Sequence, residues 1–245
     1  MNIERKLKRE LPPKRGERVI STADTLKACT YDQRALSIIE ESDFTTHNRV
    51  GIHRHVRAAN IINDFFEPGH FDGKTLLEFG PGHYSFAMLA RHLGAVVMCV
   101  ERYPPHVELG RHLGFEVLDC DFTKLTTETL GCAVDGLWMK GAFNACNFAN
   151  DAAVHDVVGR ITSVIKPEGW GWNVTVNKAP DRDPQESVDH RVAVQRRAYE
   201  EHGWVATPID EADRKRYAVS YAGSPFYFTR NLLPAGSPAA SARAR

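Results

Sequence analysis

The chemistry of this 245-residue chain concentrates in a few short stretches. In Leu77-Glu78-Phe79-Gly80-Pro81-Gly82-His83-Tyr84, two glycines follow directly on a short apolar run and precede a helical pattern. Gly80 and Gly82 permit a tight turn and let a ligand approach the backbone closely. Glu101 closes a second apolar run, 19 residues after Gly82. A carboxylate at the end of such a strand can accept hydrogen bonds from both hydroxyls of a ribose. Asp121 closes a third run, where a carboxylate can accept from an exocyclic amine, and Phe122 beside it can cover a purine face. A lone G-x-G says little. In the order strand, G-x-G, helix, strand, Glu, helix, strand, Asp, it points to an adenosine-containing ligand.

A second group is basic. His53, Arg54, His55 and Arg57 lie on the helix before the first strand. If that helix folds over the pocket, Arg54 or Arg57 can pair with a carboxylate of the ligand or with an anionic substrate. The plainer alternative is a solvated helix face. His83 sits inside the glycine turn, as a substrate-orienting group, a general base or only a turn residue. His83, His53 and His55 are the candidates to take a proton from a neutral acceptor. Lys140, Asn144 and Asn147 follow the fourth strand on the expected pocket rim. The two asparagines can bind substrate, or cap a helix and form a turn.

These residues need a scaffold, and the pattern supplies one. Residues around 48–66 carry Val56, Ala59, Ile62 and Phe66 at helical spacing. Strands are expected at 75–79, 95–100, 115–120, 134–139 and 170–176, with helices at 85–93, near 105–113 and at 151–165. Lys166-Pro167-Glu168-Gly169 reads as the turn into the fifth strand. Near-continuous apolar strands separated by helices indicate a parallel sheet covered on both faces. After a helix at 187–202, strands near 204–208 and 224–229 have no useful crossover helix between them, so they must pair antiparallel or separate. The fold expected is therefore α/β, a mostly parallel seven-stranded sheet with a C-terminal antiparallel strand pair. Residues 1–45 would be an N-terminal arm with cap or lid helices, 46–232 the ligand-binding domain, and 233–245 a disordered Pro- and Ala-rich tail.

Composition narrows the function. Lys+Arg equals Asp+Glu at 31 each, for a formal net charge of zero, which argues against a nucleic-acid partner. A local basic excess in the first 18 residues reads as a solvated arm. No run approaches a membrane span, and the start lacks the apolar core of a secretory signal. The five cysteines show no C-x-x-C spacing, so neither a disulfide framework nor a metal site is expected, and the setting is read as cytoplasmic. The Asn173-Val174-Thr175 sequon falls in an expected buried strand.

The stretch Glu78-Phe79-Gly80-Pro81-Gly82 resembles the acidic-x-G-x-G signature of the class I S-adenosylmethionine-dependent methyltransferases, whose sheet is Rossmann-like. Val134-Asp135-Gly136-Leu137-Trp138-Met139-Lys140 is similar to that family's fourth strand, and Lys166 to Gly171 to the turn before its fifth. The resemblance covers roughly residues 70–230 and departs at Tyr84, where a third glycine usually sits. It implies S-adenosylmethionine as cofactor, with S-adenosylhomocysteine as product. It implies a cofactor site made of Glu78, Gly80, Pro81, Gly82, Glu101, Arg102, Asp121, Phe122 and Lys140. Arg54, Arg57, Asn144 and Asn147 would bind substrate. The activity implied is methyl transfer to an O or N atom of a small molecule, sugar or peptide, and a homodimer is compatible with it. An NAD(P)-dependent oxidoreductase is the main alternative. It is weakened because Ser85 stands where G-x-G-x-x-G needs its third glycine, and no Tyr-x-x-x-Lys pair exists. Gly73-Lys74-Thr75 falls short of a phosphate-binding loop, because Pro68 stands in the first glycine's place and the motif precedes the strand. A catalytically silent cofactor-binding scaffold is the third reading.

Overall fold

The computed structural model describes residues 16–42, 52–145, 150–174, 184–208 and 225–230. The basic arm before residue 16, Asn147 and the tail from 233 lie outside the described residues.

A seven-stranded sheet runs in the order β3-β2-β1-β4-β5-β7-β6. β1 (Thr75–Phe79) lies between β2 (Val96–Glu101) and β4 (Val134–Lys140), with β3 (Glu116–Asp119) outside β2 and β5 (Ile165–Val174) outside β4. These five strands are parallel. β7 (Pro225–Arg230) runs antiparallel to β5, and β6 (Trp204–Pro208) antiparallel to β7. The α/β class and the mostly parallel sheet follow from the strand pattern. From Leu76 to Phe79, β1 is buried on both faces, which is why its apolar residues run together instead of alternating.

Each face of the sheet carries its own core. Leu76, Cys99, Trp138 and Trp172 join the side chains of α3 (Ile52–Phe65), α4 (Ser85–His92) and two N-terminal helices, α1 (Thr22–Ala28) and α2 (Gln33–Glu41). Leu77, Met98, Leu137 and Met139 face α7 (Asp151–Ser163) and α8 (Pro184–Glu201). Phe86 stacks on Trp138 at 4.1 Å between ring centroids, and Trp138 in turn lies 5.5 Å from Trp172. Such pairs add about 0.5–1.5 kcal/mol each beyond the area they bury. Phe86 and Trp138 of this aromatic column also line the cavity described below.

The N-terminal segment forms a helical cap with readable local causes. Ser21 accepts from the Asp24 N–H at 3.1 Å to start α1, and Asp32 accepts from the Ala35 N–H at 2.8 Å to start α2. The cap is moored to α5 (Pro104–His112) through His112, 2.9 Å from Asp32, and through Arg34 on Glu108. Tyr31 donates its hydroxyl proton to the carbonyl of His83, which fastens the cap to the glycine turn.

One expected boundary is wrong. Lys166-Pro167-Glu168-Gly169 is not a turn ahead of the fifth strand but part of β5, which begins at Ile165. The ladder jumps from Val134 opposite Ile165 to Gly136 opposite Trp170, so the extra residues are absorbed as a bulge. Lys166 is held 2.9 Å from Asp135, whose other oxygen accepts from the Thr75 N–H at 2.9 Å. Asn173 is fully buried and donates to Gln195 at 3.0 Å. A short helix, α6 (Thr127–Leu130), follows a 3-10 turn at Phe122–Lys124, and both escape the hydrophobic pattern.

Candidate active site

The site is built outward from the end of β1. Past Phe79 the chain turns sharply, with φ of +58° at Gly80, +56° at Gly82 and +59° at Tyr84. Left-handed backbone at alternate positions is the physical content of a G-x-G-x-G pattern. Tyr84 adopts the third such conformation without being glycine, at a cost of about 1–2 kcal/mol. Its side chain holds it there. The ring stacks on Phe115 at 5.5 Å, and the hydroxyl donates to the His106 carbonyl at 2.7 Å.

Tyr84 is also the residue before α4, and its side chain offers that helix no cap. Glu78, reaching over from β1, does so by accepting from the Ala87 N–H at 3.0 Å. Burial pushes the Glu78 carboxyl up to about 8, against the pull of that N–H and of Lys140.

Above this turn lies a cavity of about 550 Å³, the size of a small-molecule or cofactor site. Gly80, Pro81 and Gly82 form its floor with Glu78. Glu101, Arg102, Tyr103 and His106 form one wall, and Trp138, Lys140 and Ala142 the opposite one. Arg54, Arg57 and Ala58 of α3 complete it, so the helix before the first strand does fold over the pocket.

Glu101 is held in place by its surroundings. Its Oε1 accepts from the N–H groups of Arg102 and Tyr103, at 2.8 and 2.9 Å. Its Oε2 lies 3.5 Å from Nδ1 of His106. Burial would raise its pKa, but His106 and the two backbone donors outweigh burial and hold the carboxyl below its usual range. It is therefore an ionised acceptor at neutral pH. His106 escaped the sequence reading. The signal was Pro104 at the first position of α5, which places His106 in the first turn, folded back toward Glu101.

Not all expected residues reach the cavity. Asp121 caps the 3-10 turn, accepting from the N–H and hydroxyl of Thr123 at 3.0 and 2.8 Å, and Arg102 lies 3.7 Å away. Phe122 stacks on Phe79 at 5.0 Å. Both sit beside the cavity and do not line it, with Arg102 spanning from Asp121 to the wall. His83 and His55 are also off the wall, 3% and 5% exposed. His55 places Nδ1 2.9 Å from the hydroxyl of Ser85, which does line the cavity. The side chains of His53 and Asn144 lie outside the described residues.

The two buried imidazoles predict an acid sensitivity. Burial, then the Arg54 charge, pushes His55 down to about 4; burial, Arg54, His106 and His55 push His83 down to about 3. Both fall below the ordinary 6.5 that an unfolded chain would show. The unfolded state therefore binds protons first. The stability these neutral rings contribute is complete above pH 6.5 and is lost as pH falls from there through about 4 and then 3. Urea unfolding at pH 7, 5.5 and 4.5 is expected to show a falling midpoint. The His55→Gln, His83→Gln double variant is expected to lose part of that slope; an unchanged slope would contradict this origin.

No family model matches the sequence, and a search of curated proteins finds no match. Solved structures do match in fold. Magnesium protoporphyrin IX methyltransferase (ChlM) from Synechocystis PCC 6803, with S-adenosylmethionine bound, is similar at a TM-score of 0.53 and 12% identity, covering 82% of this chain and 99% of that one. The same enzyme with S-adenosylhomocysteine bound is similar at a TM-score of 0.50 and 11% identity, covering 85% of this chain and 94% of that one. The order of elements, the glycine turn after the first strand and these likenesses agree: the chain has the fold of the class I S-adenosylmethionine-dependent methyltransferases.

Proposed function

We propose that this chain is an S-adenosylmethionine-dependent methyltransferase acting on an O or N atom of a small molecule, sugar or peptide. The observation that carries the reading is Glu101, an ionised carboxylate oriented by two backbone donors on the wall of a cavity floored by the glycine turn.

The residues present fit such a cofactor. Glu101 would accept from its ribose hydroxyls. The turn of Gly80, Pro81 and Gly82 would meet the methionine portion. A Cβ added at Gly82 would come no nearer than 3.9 Å to Arg54, so the turn leaves open space above it. Arg102, linked to Asp121, would close the adenine end with Phe122 nearby. Lys140, at the end of β4, would face the reacting centre. When bound, the cofactor supplies an already activated methyl group. The chain's own part is to align the acceptor and keep water out, and most of the acceleration comes from that orientation. His83 and His55 enter the proposal as no more than supports of the wall, since both rings are buried away from the cavity.

Calorimetric titration with S-adenosylhomocysteine, with NAD as the parallel control, tests the reading. Micromolar binding of the former alone is expected. Binding of NAD alone would overturn the methyltransferase assignment in favour of an oxidoreductase.

A further inference from the structure

The charge of the cavity wall points to the acceptor. Arg54 and Arg57 stand one turn apart on α3, so they share a face, and both line the cavity with Lys140. Among the described residues, none of these three cations has a carboxylate within 4.0 Å. The chain as a whole has no formal net charge, so this concentration of cations is local.

Two carboxylates line the same cavity, and neither is placed to neutralise the trio. Glu101 is committed to the backbone of Arg102 and Tyr103 and faces His106. Glu78 caps α4 and is driven by burial toward its neutral form. The cations feel one another: Lys140 is held down to about 8 by burial and by Arg57 and Arg54, with Glu78 opposing. Its side chain opens on the cavity, so water relieves part of that burial. Like charges gathered with no described carboxylate within 4.0 Å repel one another, and a cavity wall that gathers them attracts an anion.

The cofactor proposed above cannot be that anion alone. It is itself a net cation, a sulfonium and an ammonium against a single carboxylate. One of the three cations can take that carboxylate, and the others are still unmatched. We propose that the methyl acceptor is an organic anion, bearing a carboxylate or a phosphate, and that Arg54, Arg57 and Lys140 hold it. The proposal rests on the methyltransferase reading for the role of the ligand. The cluster itself does not depend on that reading. Arginine suits both anions, since its planar fork gives paired hydrogen bonds to either group.

The test is calorimetry on the full chain saturated with S-adenosylhomocysteine. Citrate and pyrophosphate serve as probes in separate arms, with glycerol as the neutral control. Binding of at least one anion is expected, and none of glycerol. Citrate alone would mark a carboxylate site, pyrophosphate alone a phosphate site. Arg57→Gln and Lys140→Gln are each expected to weaken the bound probe at least tenfold, while Lys27→Gln, on the exposed side of α1, leaves it unchanged. Failure of both anions to bind would overturn the proposal, as would equal affinity in the wild type and in both cavity variants. The titration with S-adenosylhomocysteine alone reads the cofactor assignment separately. If that ligand does not bind, the same anion titrations on the unloaded chain still decide the cluster.

Discussion

Glu101→Ala is expected to weaken S-adenosylhomocysteine binding by about a hundredfold. A hydrogen bond to a charged group contributes about 1.5–3 kcal/mol, and the proposed ribose contact involves two hydroxyls on one carboxylate. The loss is larger than a deleted contact alone, because Glu101 also orders the start of α5. Its Oε1 takes the N–H groups of Arg102 and Tyr103, and the variant removes that acceptor. Glu101→Gln separates the two effects. A neutral amide oxygen can still accept those N–H groups, so the fold should hold while affinity falls by about tenfold for the missing charge. Calorimetry with a parallel thermal melt checks both variants. Unchanged affinity in Glu101→Ala would sink the assignment of the ribose site.

Gly110→Ala is expected to destabilise the protein by about 3 kcal/mol, against the usual sign for this exchange in a helix. On an exposed helix the substitution stabilises. Here a Cβ at residue 110 would lie 2.1 Å from the Tyr84 hydroxyl oxygen and 2.3 Å from its ring. The ring has nowhere to go: it is fully buried, stacked on Phe115 and bonded to the His106 carbonyl. Moving it would also disturb the left-handed residue that shapes the cavity floor. For a chain of this size the melting temperature should drop by about 6–12 °C. Tyr84→Gly removes the obstacle and restores a residue at ease with positive φ, so the double variant should be less destabilised than the sum of the singles. A stabilised Gly110→Ala would contradict the packing of Tyr84. The pair explains how the turn tolerates a tyrosine in a glycine position: Gly110 gives up its side chain so that Tyr84 can keep one.

That exchange also marks where the sequence stops being readable. β1, β2 and β4 were legible because burial on both faces leaves uninterrupted apolar runs. Gly80, Gly82 and Glu101 were legible because strand ends fix their position. The start of β5 was not, since Pro167-Glu168-Gly169 has turn chemistry and only pairing with β4 shows that the chain stays in the sheet through a bulge. Chain position placed His83 and His55 beside the pocket, but side-chain direction depends on tertiary packing. Tyr31 of the cap donates to the His83 carbonyl and lies 5.6 Å from the His55 ring, and both rings end up buried behind the wall. His106 went unnoticed for the opposite reason: Pro104 marks the start of a helix but not what its first turn faces, and the role of His106 exists only once α5 folds back on β2. Arg54 and Arg57 could be read as a shared helix face, and the fold adds the cavity beneath them.

The most direct measurement is a crystal structure of the chain with S-adenosylhomocysteine. Both ribose hydroxyls are expected within about 3 Å of the Glu101 carboxylate, with the homocysteine portion lying over Gly80 and Gly82. Ligand density at any other place, or in this cavity but without contact to Glu101, would contradict that placement.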